Sequence, residues 1–208
     1  GMKRIGEIVN AASDLGISFL TLYTFSKQNW HRPQSEVAML MKLICLGLEQ
    51  KVDDLIRKNV RFNFIGQQEG VPNDVLTRLE KTREATSRST GLQVNLAFNY
   101  DGRTEILDGV KAAVRAVQDH QIRIDEIDEK FFSTVLYTQG LPDPDLVIRT
   151  SGEQRISNFL LWQISYSELY FTDVFWPDFT KEEFGKAIND YQHRERRFGD
   201  VAPPSRSL

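Results

Sequence analysis

The sequence predicts an α/β fold: a mostly parallel central sheet with helices on both faces, its first strand missing. Three observations predict it. Short β-rich apolar runs alternate with runs of helical period along the chain. The breaks between them carry Gly, Pro or Asn. The series also opens on a helix, whereas a βα array normally opens on a strand. Either the architecture is unusual or these 208 residues are not the whole polypeptide.

The elements follow in order. Met2, Ile5, Ile8, Val9 and Ala12 recur at helix spacing, with Gly16 as a stop. Residues 17–25 are β-rich and apolar on both faces, as in a buried parallel strand. Pro33 opens a long helix whose core stripe runs from Val37 through Leu40, Met41, Ile44 and Leu48 to Val52, Leu55 and Ile56. Asn59 caps its end, and 60–65 is a strand that stops at Gly66. Asn73 caps the next helix, which carries Val75, Leu76 and Leu79. Gly91 turns into a strand over 92–98. A helix over 104–118 directs Ile106, Leu107, Val110, Ala113, Val114 and Val117 inward. Further helices are expected over 127–136, 159–166 and 181–196, and further strands over 145–148 and 169–172. Residues 1–200 form a single domain on this reading, and 201–208 a frayed tail.

Composition narrows the function. Apolar residues make up 40% and charged residues 26%, the balance of a globular protein with a real core. A formal net charge of −3 gives no support to nucleic-acid binding, so any anion site must come from a local cluster of Arg. The lone cysteine, Cys45, lies in an apolar helical pattern and reads as a core thiol, which suits the cytoplasm. No apolar run is long enough to span a membrane, and no secretion leader is visible.

In such sheets ligands sit beyond the carboxyl ends of the strands, so the residues after each strand carry the chemistry. After the first strand comes Ser26-Lys27-Gln28-Asn29-Trp30-His31-Arg32-Pro33. Ser26 and Asn29 can donate to an anion or position a proton, Arg32 offers a planar fork for phosphate oxygens, and Trp30 supplies a flat apolar face. Each could alternatively serve the turn, the core or a solvated helix start. After the strand over 145–148 comes Arg149-Thr150-Ser151-Gly152, a turn small enough for backbone amides to approach a ligand. Arg155 and Ser157 follow, just ahead of an expected helix N-terminus. Two Arg, one Ser and a helix start suit a diphosphate. The alternative is that the two Arg are surface residues paired with Asp145 and Glu153. Glu168 stands among aromatic residues, either as a magnesium ligand or in a salt bridge with an Arg. His31, His120 and His193 share no metal-ligand spacing, which discounts zinc. The basic run from Arg194 to Arg197 suits a helix C-terminus.

Taken together, five runs resemble the cis-prenyltransferases in order and spacing: 20–33, Asn99-Tyr100-Asp101-Gly102-Arg103, 145–159, Glu168-Leu169-Tyr170-Phe171, and 194–199. The likeness is greatest to bacterial undecaprenyl diphosphate synthases. It implies an enzyme that condenses isopentenyl diphosphate with an allylic diphosphate such as farnesyl diphosphate, giving a cis-polyprenyl diphosphate of the type used as a cell-wall lipid carrier. It assigns proton abstraction to Asn29 and the allylic side to Ser26, Trp30 and Arg32. Lys27 and Gln28 are grouped with that loop. Arg149, Arg155 and Ser157, with Ile156 between them, hold isopentenyl diphosphate, and Glu168 helps bind magnesium. A homodimer reached by the Arg-rich C-terminal end, and peripheral membrane contact for product release, complete the expectation.

The sequence departs from the family at several points. Gln28 stands where the family usually has Glu, so no acid or base role is given to it. Asp101-Gly102 replaces the common Gly-Gly, which is expected to alter a turn. Gln154 replaces a His found in some members, so no metal role is given to it. The family's opening strand and Asp-Gly-Asn-Gly-Arg-Trp loop, whose Asp is the main magnesium ligand, are not among these residues. The segment alone is therefore expected to be inactive. The alternative is a non-catalytic partner subunit of a prenyltransferase complex, which would be expected to lose the two Arg- and Ser-containing loops that this chain keeps.

Overall fold

The computed structural model of the chain describes residues 2–195. Its described elements are helices α1 Met2–Asp14, α2 Gln34–Arg57, α3 Asn73–Ala85, α4 Gly102–Gln118, α5 Glu129–Thr134 and α6 Lys181–Gln192, and strands β1 Phe19–Ser26, β2 Arg61–Ile65, β3 Gln93–Tyr100, β4 Leu146–Arg149 and β5 Glu168–Phe171. Every strand pairing is parallel, as the alternation of elements requires. The pairings fall into two sheets, β1-β3-β2 and β4-β5.

β3, not β1, is the central strand. Among the described residues it is flanked on both edges and buried along nearly its whole length, whereas β1 pairs on one edge and is largely half-buried. Gly66, which ends β2, could be no other residue. Its φ is +131°, and a Cβ there would lie 2.0 Å from the Phe98 carbonyl oxygen. The main core lies under this sheet, where Phe25, Val60, Val94 and Phe98 meet Ile8 of α1, Met41 of α2 and Leu79 of α3. A second cluster, Ile65, Ala97, Tyr100, Leu160 and Ile164, joins the sheet to the segment beyond β4.

Several expectations are corrected. Pro72 caps α3, and Asn73 is its first residue. Ile56 of the α2 stripe is exposed. On α4 the buried face is Gly102, Glu105, Gly109 and Ala113, while Leu107, Val110 and Val114 face outward. The phase of α4 is set by polar anchors rather than by its apolar count: Asp101 caps it, and Glu105 accepts from the Tyr100 hydroxyl, from the Tyr137 amide at 2.8 Å and from Gln163 at 3.1 Å. Residues 161–166 form turns, not a helix, because Ser157, Asn158 and Leu160 all hold positive φ and break the helical path. Residues 196–208, including the rest of the basic run and the predicted tail, lie outside the described residues. Among the described residues no helix is long and apolar enough to cross a membrane.

Candidate active site

Two loops and one helix start converge at the carboxyl ends of β1, β3 and β4. The first loop follows β1 as a 3-10 turn over Lys27–His31. Its residues are held mainly by protein partners. The Ser26 amide donates to Asn29 Oδ1 at 2.9 Å. Lys27 donates to Gln67 Oε1 at 3.0 Å, and Gln28 donates to Asp101. The Trp30 indole donates to Asn99 Oδ1 at 2.7 Å and packs edge-on against Phe25. Asn99 has φ +49° and donates onward to the Gln67 and Glu69 carbonyls. Arg32 pairs with Glu36, one turn along, at 2.8 Å. Lys27 and Gln28 thus serve first to fix the loop, and the expectation of direct substrate contact is weaker for them than for Asn29 and Trp30.

The second loop follows β4. Arg149 ends that strand, and its Nε is buried without a hydrogen-bond partner. A guanidinium donor left in this way is costly unless something accepts from it. Arg155 differs: it is exposed and paired with Glu153, which is the surface-pair alternative for that residue. Ile156 is partly buried and packs against the second core cluster. The Ser151 and Gly152 amides donate to the Val174 and Thr172 carbonyls, both at 2.9 Å. They are therefore engaged, and the expected amide cradle at 150–152 is not formed. Nor does a helix N-terminus follow Ser157.

The two loops touch. Tyr23 of β1 stacks on Phe159 with ring centroids 4.5 Å apart, and its hydroxyl reaches the Ser157 carbonyl at 3.5 Å. Burial pushes the Tyr23 phenol up to about 12, while the Ser26 side chain and the Arg149 charge act the other way, which places both loops around one ring. Asp101 accepts from Gln28 of the first loop and from Asn158 of the second. The sequence reading missed Tyr23, Asn99 and Asn158 as site-building residues. Only Asn99, next to the end of β3, carried the strand-end signal.

Glu168 is not brought into this cluster. The register Leu146↔Glu168 and Arg149↔Phe171 puts it at the opposite end of the β4–β5 pair from Arg149. Its carboxylate accepts from Arg194 at 2.9 Å. Arg194 also pairs with Asp190 and donates to the Leu169 carbonyl, so Glu168 can be released without stranding the guanidinium. One exchangeable carboxylate fits a magnesium ion that arrives on diphosphate oxygens, which needs one or two protein carboxylates, but not a preformed cage. Among the described residues no group of three or more His, Cys, Asp or Glu gathers for a metal.

An apolar groove leaves this region. It has a volume of about 560 Å³ and runs between α2 and α3, past Trp30, Val37, Met41 and Cys45 to the Arg78–Glu49 ion pair. Leu92 and Val94 lie in the core and do not line it.

Residues 1–199 match the family described as "Putative undecaprenyl diphosphate synthase". The chain belongs to this family of cis-prenyltransferases. The prenyltransferase is 46% identical over 201 residues to an isoprenyl transferase of Clostridium perfringens, covering 97% of this chain and 79% of that one. It is 45% identical to the isoprenyl transferase of Bacillus subtilis, covering 97% and 77%. Among solved structures it is similar to lavandulyl diphosphate synthase from Lavandula x intermedia in complex with dimethylallyl diphosphate, with a TM-score of 0.93 and 33% identity over 96% of this chain and 86% of that one. A probable undecaprenyl diphosphate synthase from Campylobacter jejuni gives a TM-score of 0.84, also at 33% identity, over 95% of this chain and 91% of that one.

Proposed function

We propose that this prenyltransferase condenses isopentenyl diphosphate with an allylic diphosphate such as farnesyl diphosphate, and repeats the step to an undecaprenyl-type cis-polyprenyl diphosphate. The observation that carries the reading is the buried, unpartnered Nε of Arg149 at a strand end, where a diphosphate oxygen would complete its hydrogen bonding. In each cycle the allylic C–O bond breaks and diphosphate leaves. The double bond of isopentenyl diphosphate attacks the allylic carbon, and a proton departs to give the new cis double bond. Arg149, with Arg155 once it leaves Glu153 and the hydroxyl of Ser157, holds isopentenyl diphosphate. Asn29, Ser26 and Arg32 face the allylic diphosphate, and Trp30 opens onto the groove that takes the apolar tail. Magnesium bound on the substrates would offset the charge of the leaving diphosphate; Glu168 is proposed as a protein ligand on the resemblance alone, since it lies at the far end of the β4–β5 pair from Arg149.

A homodimer is proposed on the outward stripe of α4, where Leu107, Val110 and Val114 recur at helical spacing and are 59%, 46% and 50% exposed. The reaction is assigned to the cytoplasm, with peripheral membrane contact as the apolar product leaves.

The direct test supplies the full-length enzyme with radiolabelled isopentenyl diphosphate, farnesyl diphosphate and magnesium. Product should be a ladder ending in a discrete polyprenyl diphosphate, and no incorporation would overturn the proposal. Arg149→Ala should weaken isopentenyl diphosphate binding by ~2–3 kcal/mol and the more exposed Arg155→Ala by ~1–2 kcal/mol, the range of charge-assisted hydrogen bonds. Lys at either position should rescue only part, since the planar fork is lost. Unchanged affinity in both Ala variants would return the two residues to the protein surface. Glu168→Gln should raise the magnesium concentration needed for half-maximal activity, because a neutral amide is a weaker ligand for a hard cation. A magnesium titration that superimposes on that of the unmodified enzyme would leave Glu168 as the partner of Arg194 alone.

A further inference from the structure

Gln28 and Asp101, two of the positions at which this chain departs from the family pattern, are joined in the structure by one hydrogen bond. Asp101 is 6% exposed. Its Oδ1 accepts from the Thr104 amide at 2.8 Å, which caps α4. Its Oδ2 accepts from the Gln28 side chain and from Asn158 Nδ2, the latter at 2.6 Å. Asn158 is held in turn: its Oδ1 accepts from the Arg103 amide at 3.0 Å, and its carbonyl accepts from the Gly102 amide at 2.9 Å. A Cβ on Gly102 would lie 2.8 Å from that carbonyl, so the close approach depends on glycine. One carboxylate therefore ties the residue before Asn29 to the residue after Ser157.

We propose that Asp101 is a positioning residue that yokes the two substrate loops, and that Asp101 and Gln28 are a mutually dependent pair. This rests on the proposed assignment of those loops to the two diphosphates. The chemistry is simple. An ionised carboxylate only accepts hydrogen bonds, so a partner at 28 must donate to it, as the side-chain amide of the exposed Gln28 does. Glu would set two carboxylates against each other, and one would have to take up a proton or move away. Burial pushes the Asp101 carboxyl up, but the Thr104, Gln28 and Asn158 donors outweigh it and bring the group below the ordinary carboxylate range, so it is ionised. With Gly at 101 the conflict disappears, and Glu at 28 becomes acceptable.

The test is a double-mutant cycle in the full-length enzyme, reading kcat and KM for isopentenyl diphosphate and farnesyl diphosphate together with thermal unfolding. Gln28→Glu is expected to lower kcat/KM by about tenfold or more, through KM for both substrates as well as kcat, because both loops lose their shared anchor. Asp101→Gly should cost about three- to tenfold. The double variant should recover most of the Gln28→Glu loss, so that its defect is about tenfold smaller than the product of the two single defects. Defects that simply multiply would overturn the proposal, as would a Gln28→Glu enzyme indistinguishable from the unmodified one. Should Gln28→Glu unfold, recovery of a normal melting temperature by the added Asp101→Gly reports the same coupling, and failure to recover it counts against it. An unmodified enzyme that makes no product from these substrates would instead sink the functional assignment.

Discussion

Glu105→Ala should destabilise the fold by ~3–5 kcal/mol, because it strands several donors in a dry interior. Glu105 is 1% exposed, and its two oxygens take the Tyr100 hydroxyl, the Tyr137 amide and the Gln163 side-chain amide. Gln163 Oε1 is itself buried without a partner, so this cluster has no slack. The network joins the end of β3 to the start of α4 and to the segment before β5, and hence supports both substrate loops. Glu105→Gln should behave differently. Its carbonyl can still accept from Tyr137 and Gln163, and the Tyr100 hydroxyl can turn to accept, so a loss of about 1 kcal/mol is expected. The pH dependence separates the variants further. Burial pushes the Glu105 carboxyl above its ordinary 4.5, against the lowering by its donors. A carboxyl whose folded value is raised binds its proton more tightly in the fold. Its contribution to stability is therefore greatest below pH 4.5 and declines as pH rises from there through the folded value. Urea unfolding from pH 4 to pH 8 should show that decline in the unmodified protein and its absence in Glu105→Gln. An Ala variant within 1 kcal/mol of the unmodified protein would refute the network's structural role.

This network also shows where the sequence is opaque. Period alone distinguishes strands from helices, and the parallel order follows from their alternation. Strand-end positions single out Arg149 and the Ser26–Arg32 loop, which the structure places at the carboxyl ends of β4 and β1. The face of α4 is misread because apolar counting favours Leu107, Val110 and Val114, whereas a buried glutamate and a cap decide the phase. No spacing rule reveals that Glu105 meets Gln163, 58 residues away, or that Asp101 meets Gln28, 73 residues away. The segment 159–166 is apolar at helical spacing, yet positive φ at Ser157, Asn158 and Leu160 denies it a helical start. Only Asn among these is a residue that readily takes that conformation, so the pattern gave little warning. That the Arg149 Nε lacks a hydrogen-bond partner while Arg155 has one is likewise a matter of burial and approach.

Asn29→Ala should lower turnover by about 10²–10³-fold while changing KM for isopentenyl diphosphate much less, as when a donor that acts in the transition state is removed. The resemblance assigns proton abstraction to this position, but the geometry argues for a different chemical part. An amide has one good acceptor, its oxygen, and here that oxygen takes the Ser26 amide at 2.9 Å. What Asn29 presents onward is its NH2 group, a donor with no basic lone pair. It can hold a diphosphate oxygen or orient a substrate whose proton passes to diphosphate. An amide oxygen is a very weak base, so on this assignment Asn29 orients the proton rather than takes it. Asn29→Asp decides between the two. The carboxylate has the same shape and can still accept from Ser26, so the loop keeps its fold. It would be a competent base, yet it lacks the donor and adds a negative charge beside the diphosphates. On the donor assignment Asn29→Asp is as inactive as Asn29→Ala, or more so, with a melting temperature close to that of the unmodified enzyme. If Asn29→Asp retains activity and gains a pH–rate limb near the carboxylate range, the residue is the base and the donor assignment is wrong.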